Sequence, residues 1–132
     1  MSAILIVDDD KNQRLLLEEE LAEEGYSVLS ATDGEQALAA ISRAMPDLVI
    51  LDVIMPGMDG LELLGKLLGM NNRLPVVIHT AYSGYKDNFM AWGADAYIIK
   101  RSDLGPLKEM VRHVLATRER PSRPCVGAEG RA

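Results

Sequence analysis

The stretch from Asp47 to Gly60 reads Asp-Leu-Val-Ile-Leu-Asp-Val-Ile-Met-Pro-Gly-Met-Asp-Gly, and it limits the fold more than any other. Leu48 to Leu51 is an unbroken aliphatic run, too short for a helix and too apolar to leave one face in water. Such a run is the signature of a central strand in a parallel sheet covered on both faces. It stops at a carboxylate, Asp52. Met55-Pro56-Gly57 then turns the chain, and Asp59 is placed to cap the next helix. Open α/β sheets keep their chemistry at the C-terminal ends of their strands. Asp52 by itself is either a turn residue or a functional group, and the stretch alone leaves both open.

The rest of the chain supplies four more strands. Ala3–Val7 is aliphatic and runs into Asp8-Asp9-Asp10. Tyr26–Ala31 alternates like a strand nearer an edge, Pro75–Thr80 is again apolar, and Asp95–Ile99 precedes Lys100. Helices are expected between them. The first runs from Lys11 to Glu24 with Leu16, Leu17 and Leu21 inward, the Glu18-Glu19-Glu20 run in solvent, and Gly25 at its C′ position. The second, from Glu35 to Ala44, turns Ala37, Leu38, Ala40 and Ile41 inward, before Pro46 stops it. A third covers Leu61–Leu68, with a loop over Gly69–Arg73, and a weaker fourth Tyr85–Trp92. The last runs from Asp103 to Arg118, with Leu104, Leu107, Met110, Val111, Val114 and Leu115 on one side. On the fourth, Tyr85, Phe89 and Trp92 fall at i, i+4 and i+7, spacing that favours core packing over a partner surface. Strict alternation of strand and helix gives one doubly wound α/β domain, (βα)5, with right-handed crossovers. Five strands wound this way take the flavodoxin-like order 2-1-3-4-5. The domain is expected to occupy residues 1–118, with a proline- and glycine-rich, disordered tail over 119–132.

Bulk properties narrow the function. A net charge of -6 disfavours direct nucleic-acid binding, which needs a basic patch. One cysteine, Cys125, permits no internal disulfide and suits a reducing cytoplasm, where it reads as an incidental thiol. The N-terminus has no basic n-region and the chain no long apolar run, so neither signal peptide nor membrane span is expected.

Four of the five strands end in reactive side chains at one edge of the sheet: Asp8 and Asp9, then Asp52, Thr80 and Lys100. Three carboxylates in one crevice repel each other and raise one another's pKa. A hard cation relieves this, and oxygen-only ligands suit Mg²⁺. Lys100 is a second countercharge. A site so built would receive a phosphoryl group, with Asp52 as nucleophile, an acyl phosphate as product, and Thr80 hydrogen-bonded to a phosphoryl oxygen. Neither His79 nor His113 has a second ligand near in sequence, so metal roles are not expected of them.

With these residues in view, the chain from Ala3 to Arg118 resembles the receiver domain of two-component response regulators. The match is carried by Asp8-Asp9, by Asp52 and the turn after it, by Thr80-Ala81, and by Tyr97 three residues before Lys100. The resemblance implies that Asp52 is phosphorylated by a sensor histidine kinase, a phosphotransfer protein or a small phosphodonor. It implies Mg²⁺ (or Mn²⁺) held by Asp9, Asp52 and the backbone carbonyl of Ile54, with Asp8 acting mainly through metal-bound water. Lys100 would pair with the phosphoryl group, Thr80 would move toward it, and Tyr97 would turn inward. A downstream protein would read the surface of the fourth helix, fifth strand and fifth helix, and homodimerisation on phosphorylation is compatible with the family.

The chain departs from the family at three positions. Arg101 follows Lys100 where most receivers have proline after a cis bond. A cis bond before a non-proline costs about 3 kcal/mol, so a trans bond or an altered loop is expected. Ile54 and Tyr82 are bulky at positions that gate water in the family, which implies slow self-hydrolysis of the acyl phosphate, measurable as phosphate release. Two other functions compete. A Mg²⁺-dependent aspartyl-nucleophile phosphatase would use the Asp-x-Asp spacing of Asp8–Asp10, but cap insertions are missing. A flavin binder would need a Ser/Thr/Gly-rich phosphate loop where three aspartates stand.

Overall fold

The computed structural model describes residues 2–53 and 59–117. Ile54 to Met58, the tail from Arg118, and therefore Cys125 lie outside the described residues. Along the chain come β1 (Ala3–Val7), α1 (Lys11–Glu23), β2 (Ser27–Ala31), α2 (Gly34–Arg43), β3 (Leu48–Leu51), α3 (Gly60–Met70), β4 (Val76–Thr80), α4 (Lys86–Ala91), β5 (Ala96–Ile99) and α5 (Gly105–Thr117). The sheet is parallel throughout and takes the expected order, β2-β1-β3-β4-β5.

Strand alternation sends side chains to two cores. Leu5, Val7, Val49, Leu51, Val76 and Ile78 pack with Ala37 and Ile41 of α2, Leu63, Leu64 and Leu67 of α3, and Phe89 of α4. Ile4, Ile6, Leu48, Ile50 and Val77 pack with Leu17 and Leu21 of α1 and Leu107, Val111 and Val114 of α5. Each of these side chains larger than alanine contributes about 1.5–3 kcal/mol by leaving water. A one-residue slip of β3 would exchange its two faces, so both cores fix its register. At the opposite end from the site, two aspartates complete the ladder. Asp47 N–H donates to the Ala3 carbonyl while its Oδ2 accepts from Ala3 N–H, both at 2.7 Å. Asp95 binds both polar groups of Val76 in the same way, at 2.8 Å each.

Helix ends follow their sequence signals. Asp10, Asp33 and Asp59 cap α1, α2 and α3 through backbone N–H groups of the first turn. Gly25 ends α1 at φ +98°, a conformation that L side chains rarely adopt. Gly60 is required for another reason: a Cβ there would lie 2.9 Å from the Cα of Val53.

Several expectations are corrected. Leu16 is exposed, and Leu17 and Leu21 alone among the expected α1 leucines are buried. Leu38 and Ala40 are half-buried but do pack against the core, as expected. On α3 the fully buried Leu63 joins the stripe, and the helix takes in the first two residues of the expected loop, ending at Met70. Phe89 enters the core but Tyr85 and Trp92 are 43% and 63% exposed. The reason is length: α4 is one and a half turns, and those two residues are its caps. The glutamate run is only partly solvated, since Glu20 pairs with Lys108 of α5, and the nearby Glu24 with Arg112 at 3.2 Å.

Candidate functional site

The C-terminal ends of β1, β3, β4 and β5 meet at one edge of the sheet. Asp8 follows β1 directly; its N–H donates to Ala31 of β2, which continues the ladder one residue beyond the strand. Asp52 follows β3 and donates to the Val7 carbonyl at 2.9 Å. Lys100 follows β5 and donates to the Thr80 carbonyl at 2.8 Å. Asp8, Asp52 and Lys100 are thus each fixed by a backbone bond to the neighbouring strand.

Side chains converge from there. Lys100 Nζ donates to Asp8 Oδ2 at 3.0 Å and to Asp52 Oδ2 at 2.8 Å. Both carboxylates are buried and Asp9 is exposed. One carboxylate oxygen from each of Asp8, Asp9 and Asp52 lies within 4.8 Å of the others. Three hard oxygen donors so close, one side open to solvent through Asp9, fit a divalent cation. Asp10, the third aspartate of the run, is turned away to cap α1.

Charge is finely balanced. Burial pushes the Asp8 carboxyl above its ordinary value, beyond what the Asp10 N–H and the Lys100 ammonium offset. Charge repulsion from Asp52 adds to the rise but is the smaller cause, where the sequence suggested mutual repulsion as the main one. For Lys100, burial works to lower the pKa, but the bonds to Asp52 and Asp8 outweigh it and the ammonium is held above its ordinary value. The cation is therefore retained at every physiological pH.

Thr80 is fully buried at the end of β4, and its Oγ1 accepts from Tyr82 N–H at 3.4 Å. Tyr97 is buried, with its hydroxyl donating to the Tyr82 carbonyl. Its ring faces Phe89, which leads to Tyr85 and Tyr82 at the surface, with centroids 4.8–6.3 Å apart. Tyr82 itself is half exposed. The described backbone has no cis peptide bond, so Lys100–Arg101 is trans, as the missing proline led us to expect. The expected carbonyl ligand of Ile54 lies outside the described residues.

Two features escaped sequence reasoning. Arg14 Nη1 donates to the Asp8 carbonyl at 2.8 Å, which α-helical composition alone did not single out. His79 is buried, its Nδ1 has no hydrogen-bond partner among the described residues, and burial, helped by the Lys100 charge, lowers its pKa to about 4. A polar residue inside an apolar strand was the only signal.

Fold and site together define a signalling receiver of the doubly wound α/β class. The family model of the response regulator receiver domain matches residues 4–112. The chain is 38% identical to sporulation initiation phosphotransferase F of Bacillus subtilis over 115 residues, covering 85% of this chain and 92% of that one. It is 39% identical to the probable transcriptional regulator ycf27 of Porphyridium aerugineum over 114 residues, but spans only 47% of that relative's length. Among solved structures, the response regulator TrrA of Thermotoga maritima, in complex with Mg²⁺ and BeF, is 43% identical with a TM-score of 0.82, covering 86% of this chain and 99% of that one. TrrA is also known in complex with the histidine kinase ThkA, with a TM-score of 0.80 to this chain, 43% identity and coverage of 87% and 99%. The chain belongs to the response regulator receiver domain family of two-component systems. That membership lends no support to the phosphatase alternative. Among the described residues no helix is long and apolar enough to cross a membrane.

Proposed function

We propose that Asp52 is the phosphoacceptor and that the chain takes its phosphoryl group from a histidine kinase, a phosphotransfer protein or a small phosphodonor. The observation that carries this is the bridge of Lys100 between the buried Asp8 and Asp52, beside the exposed Asp9. In the transfer, an Asp52 oxygen attacks phosphorus, the bond from phosphorus to the donor atom breaks, and a mixed carboxylic–phosphoric anhydride forms. Asp8, Asp9 and Asp52, with the Ile54 carbonyl, are the residues that would hold Mg²⁺. Mg²⁺, when bound, neutralises charge on the transferring oxygens. Lys100 exchanges part of its bond to Asp52 for a bond to a phosphoryl oxygen, which its place beside Asp52 Oδ2 allows. The Thr80 hydroxyl then finds an acceptor on the same group. Motion of Thr80 is felt by the loop that Tyr97 grips through the Tyr82 carbonyl.

The complex of the related TrrA with a histidine kinase supports the donor assignment, and its Mg²⁺–BeF complex supports the metal. We assign the output to the α4–β5–α5 surface, where Tyr85, Met90 and Trp92 are exposed and Tyr85 stacks edge-on against Tyr82 of the loop that Tyr97 holds. The signalling unit is residues 1–118, it acts in the cytoplasm, and homodimerisation after phosphorylation is consistent with it. It modifies itself rather than turning over a substrate.

Phosphorylating the protein with acetyl phosphate and Mg²⁺, trapping the acyl phosphate with borohydride and mapping peptides tests the assignment. The reduced residue is expected at position 52. Reduction at Asp8 or Asp9 instead would reject Asp52 as the acceptor.

A further inference from the structure

Asp8 is held at four points. Its N–H donates to Ala31, its Oδ1 accepts from Asp10 N–H at 2.9 Å, its Oδ2 accepts from Lys100, and its carbonyl accepts from Arg14 Nη1 at 2.8 Å. The fourth contact is the unexpected one. The carbonyl of Asp8 lies beyond the last residue of β1, and a buried carbonyl without a partner costs about 1–3 kcal/mol. Arg14 is one turn into α1, and helical side chains lean toward the N-terminus. A long side chain at that position therefore reaches back over the loop that precedes the helix.

The peptide plane between Asp8 and Asp9 is rigid. Binding its carbonyl fixes ψ of Asp8 and φ of Asp9, and so the direction in which the Asp9 side chain leaves the backbone. Among the three grouped carboxylates, Asp9 is the exposed one. Asp8 and Asp52 share Lys100, which Asp9 does not touch.

We propose that Arg14 is a positioning residue for the divalent-cation site: by holding the Asp8 carbonyl it aims the Asp9 carboxylate at the place where the cation sits. The inference rests on the metal-site reading above. It competes with a simpler role, in which the guanidinium merely adds positive charge next to an acidic cluster. The two roles have opposite signs. Removing a nearby positive charge strengthens cation binding, whereas losing the aim of one carboxylate weakens it.

The test is titration of Mg²⁺ and Mn²⁺ into the wild type, Arg14→Met and Arg14→Lys at fixed ionic strength, by calorimetry, with unfolding curves in EDTA as a fold control. Methionine keeps the apolar stem and removes every donor; lysine keeps the charge but not the planar fork. Arg14→Met is expected to bind either ion about tenfold more weakly, in the range for outer-shell partners of metal ligands. Arg14→Lys is expected to fall between it and the wild type. Equal or tighter binding by a folded Arg14→Met would overturn the proposal. Should that variant not fold, wild-type affinity in Arg14→Lys would overturn it. A wild type that binds neither ion would instead reject the metal site itself, a result separable from failure of Arg14.

Discussion

At the scale of single residues, Lys100 decides how the site survives without a cation. Its ammonium binds both buried carboxylates, Asp8 and Asp52. Removing one partner of a buried pair leaves uncompensated charge, a loss of about 3 kcal/mol. Lys100→Met is therefore expected to lose about that much stability by urea unfolding in EDTA, and saturating Mg²⁺ should restore most of it by binding the native state. Unchanged stability in EDTA would contradict the central place given to this ammonium. Asp8, Asp9, Asp52, Thr80 and Lys100 were legible in the sequence because each ends an apolar strand or lies within two residues of its end. Arg14 was not legible. Its role depends on where a long side chain ends, and a helix of mixed composition does not announce that.

At the scale of elements, the turn after β3 and the start of α3 are coupled through close approach. A Cβ on residue 60 would meet the Val53 backbone, which cannot shift as the end of a side chain can. Gly60→Ala is expected to cost about 2 kcal/mol as overpacking, read as a lower urea midpoint with unchanged slope. A neutral substitution would show that the helix moves freely relative to the strand. Element positions were legible where apolar runs and caps agree, as in β1, β3 and the Asp59 cap. Facing was less so. Three consecutive leucines, Leu15 to Leu17, offered no clear phase, and two of them are exposed. The aromatic spacing on α4 assumed a helix long enough to carry a stripe, and the helix ends first. Asp95, expected as the first residue of the fifth strand, lies just before β5, and both it and Asp47 close the start of a neighbouring strand.

At the scale of the molecule, the parallel sheet followed from alternation, and the order 2-1-3-4-5 is one of the few arrangements that five strands with helical crossovers leave open. Stability against pH did not follow, because it depends on burial that no local pattern reveals. His79 titrates near 4 in the fold against 6.5 when unfolded. Between those values the unfolded chain binds the proton and the native chain does not, so the His79 contribution is complete above pH 6.5 and lost as pH falls toward 4. The shift corresponds to about 3 kcal/mol. Asp8 acts in the opposite sense: with its pKa raised, it destabilises the fold as pH rises through the upper carboxylate range. Urea unfolding at pH 7.5 and 4.5 is expected to show a smaller acid loss in His79→Leu than in the wild type. Equal losses would mean that His79 is not held neutral.

The most direct measurement is phosphoryl transfer from a labelled donor to wild type and to Asp52→Ala, each with Mg²⁺ and with EDTA. Label is expected on the wild type with Mg²⁺, little with EDTA, and none on Asp52→Ala in either condition. Undiminished labelling of a folded Asp52→Ala would contradict Asp52 as the phosphoacceptor.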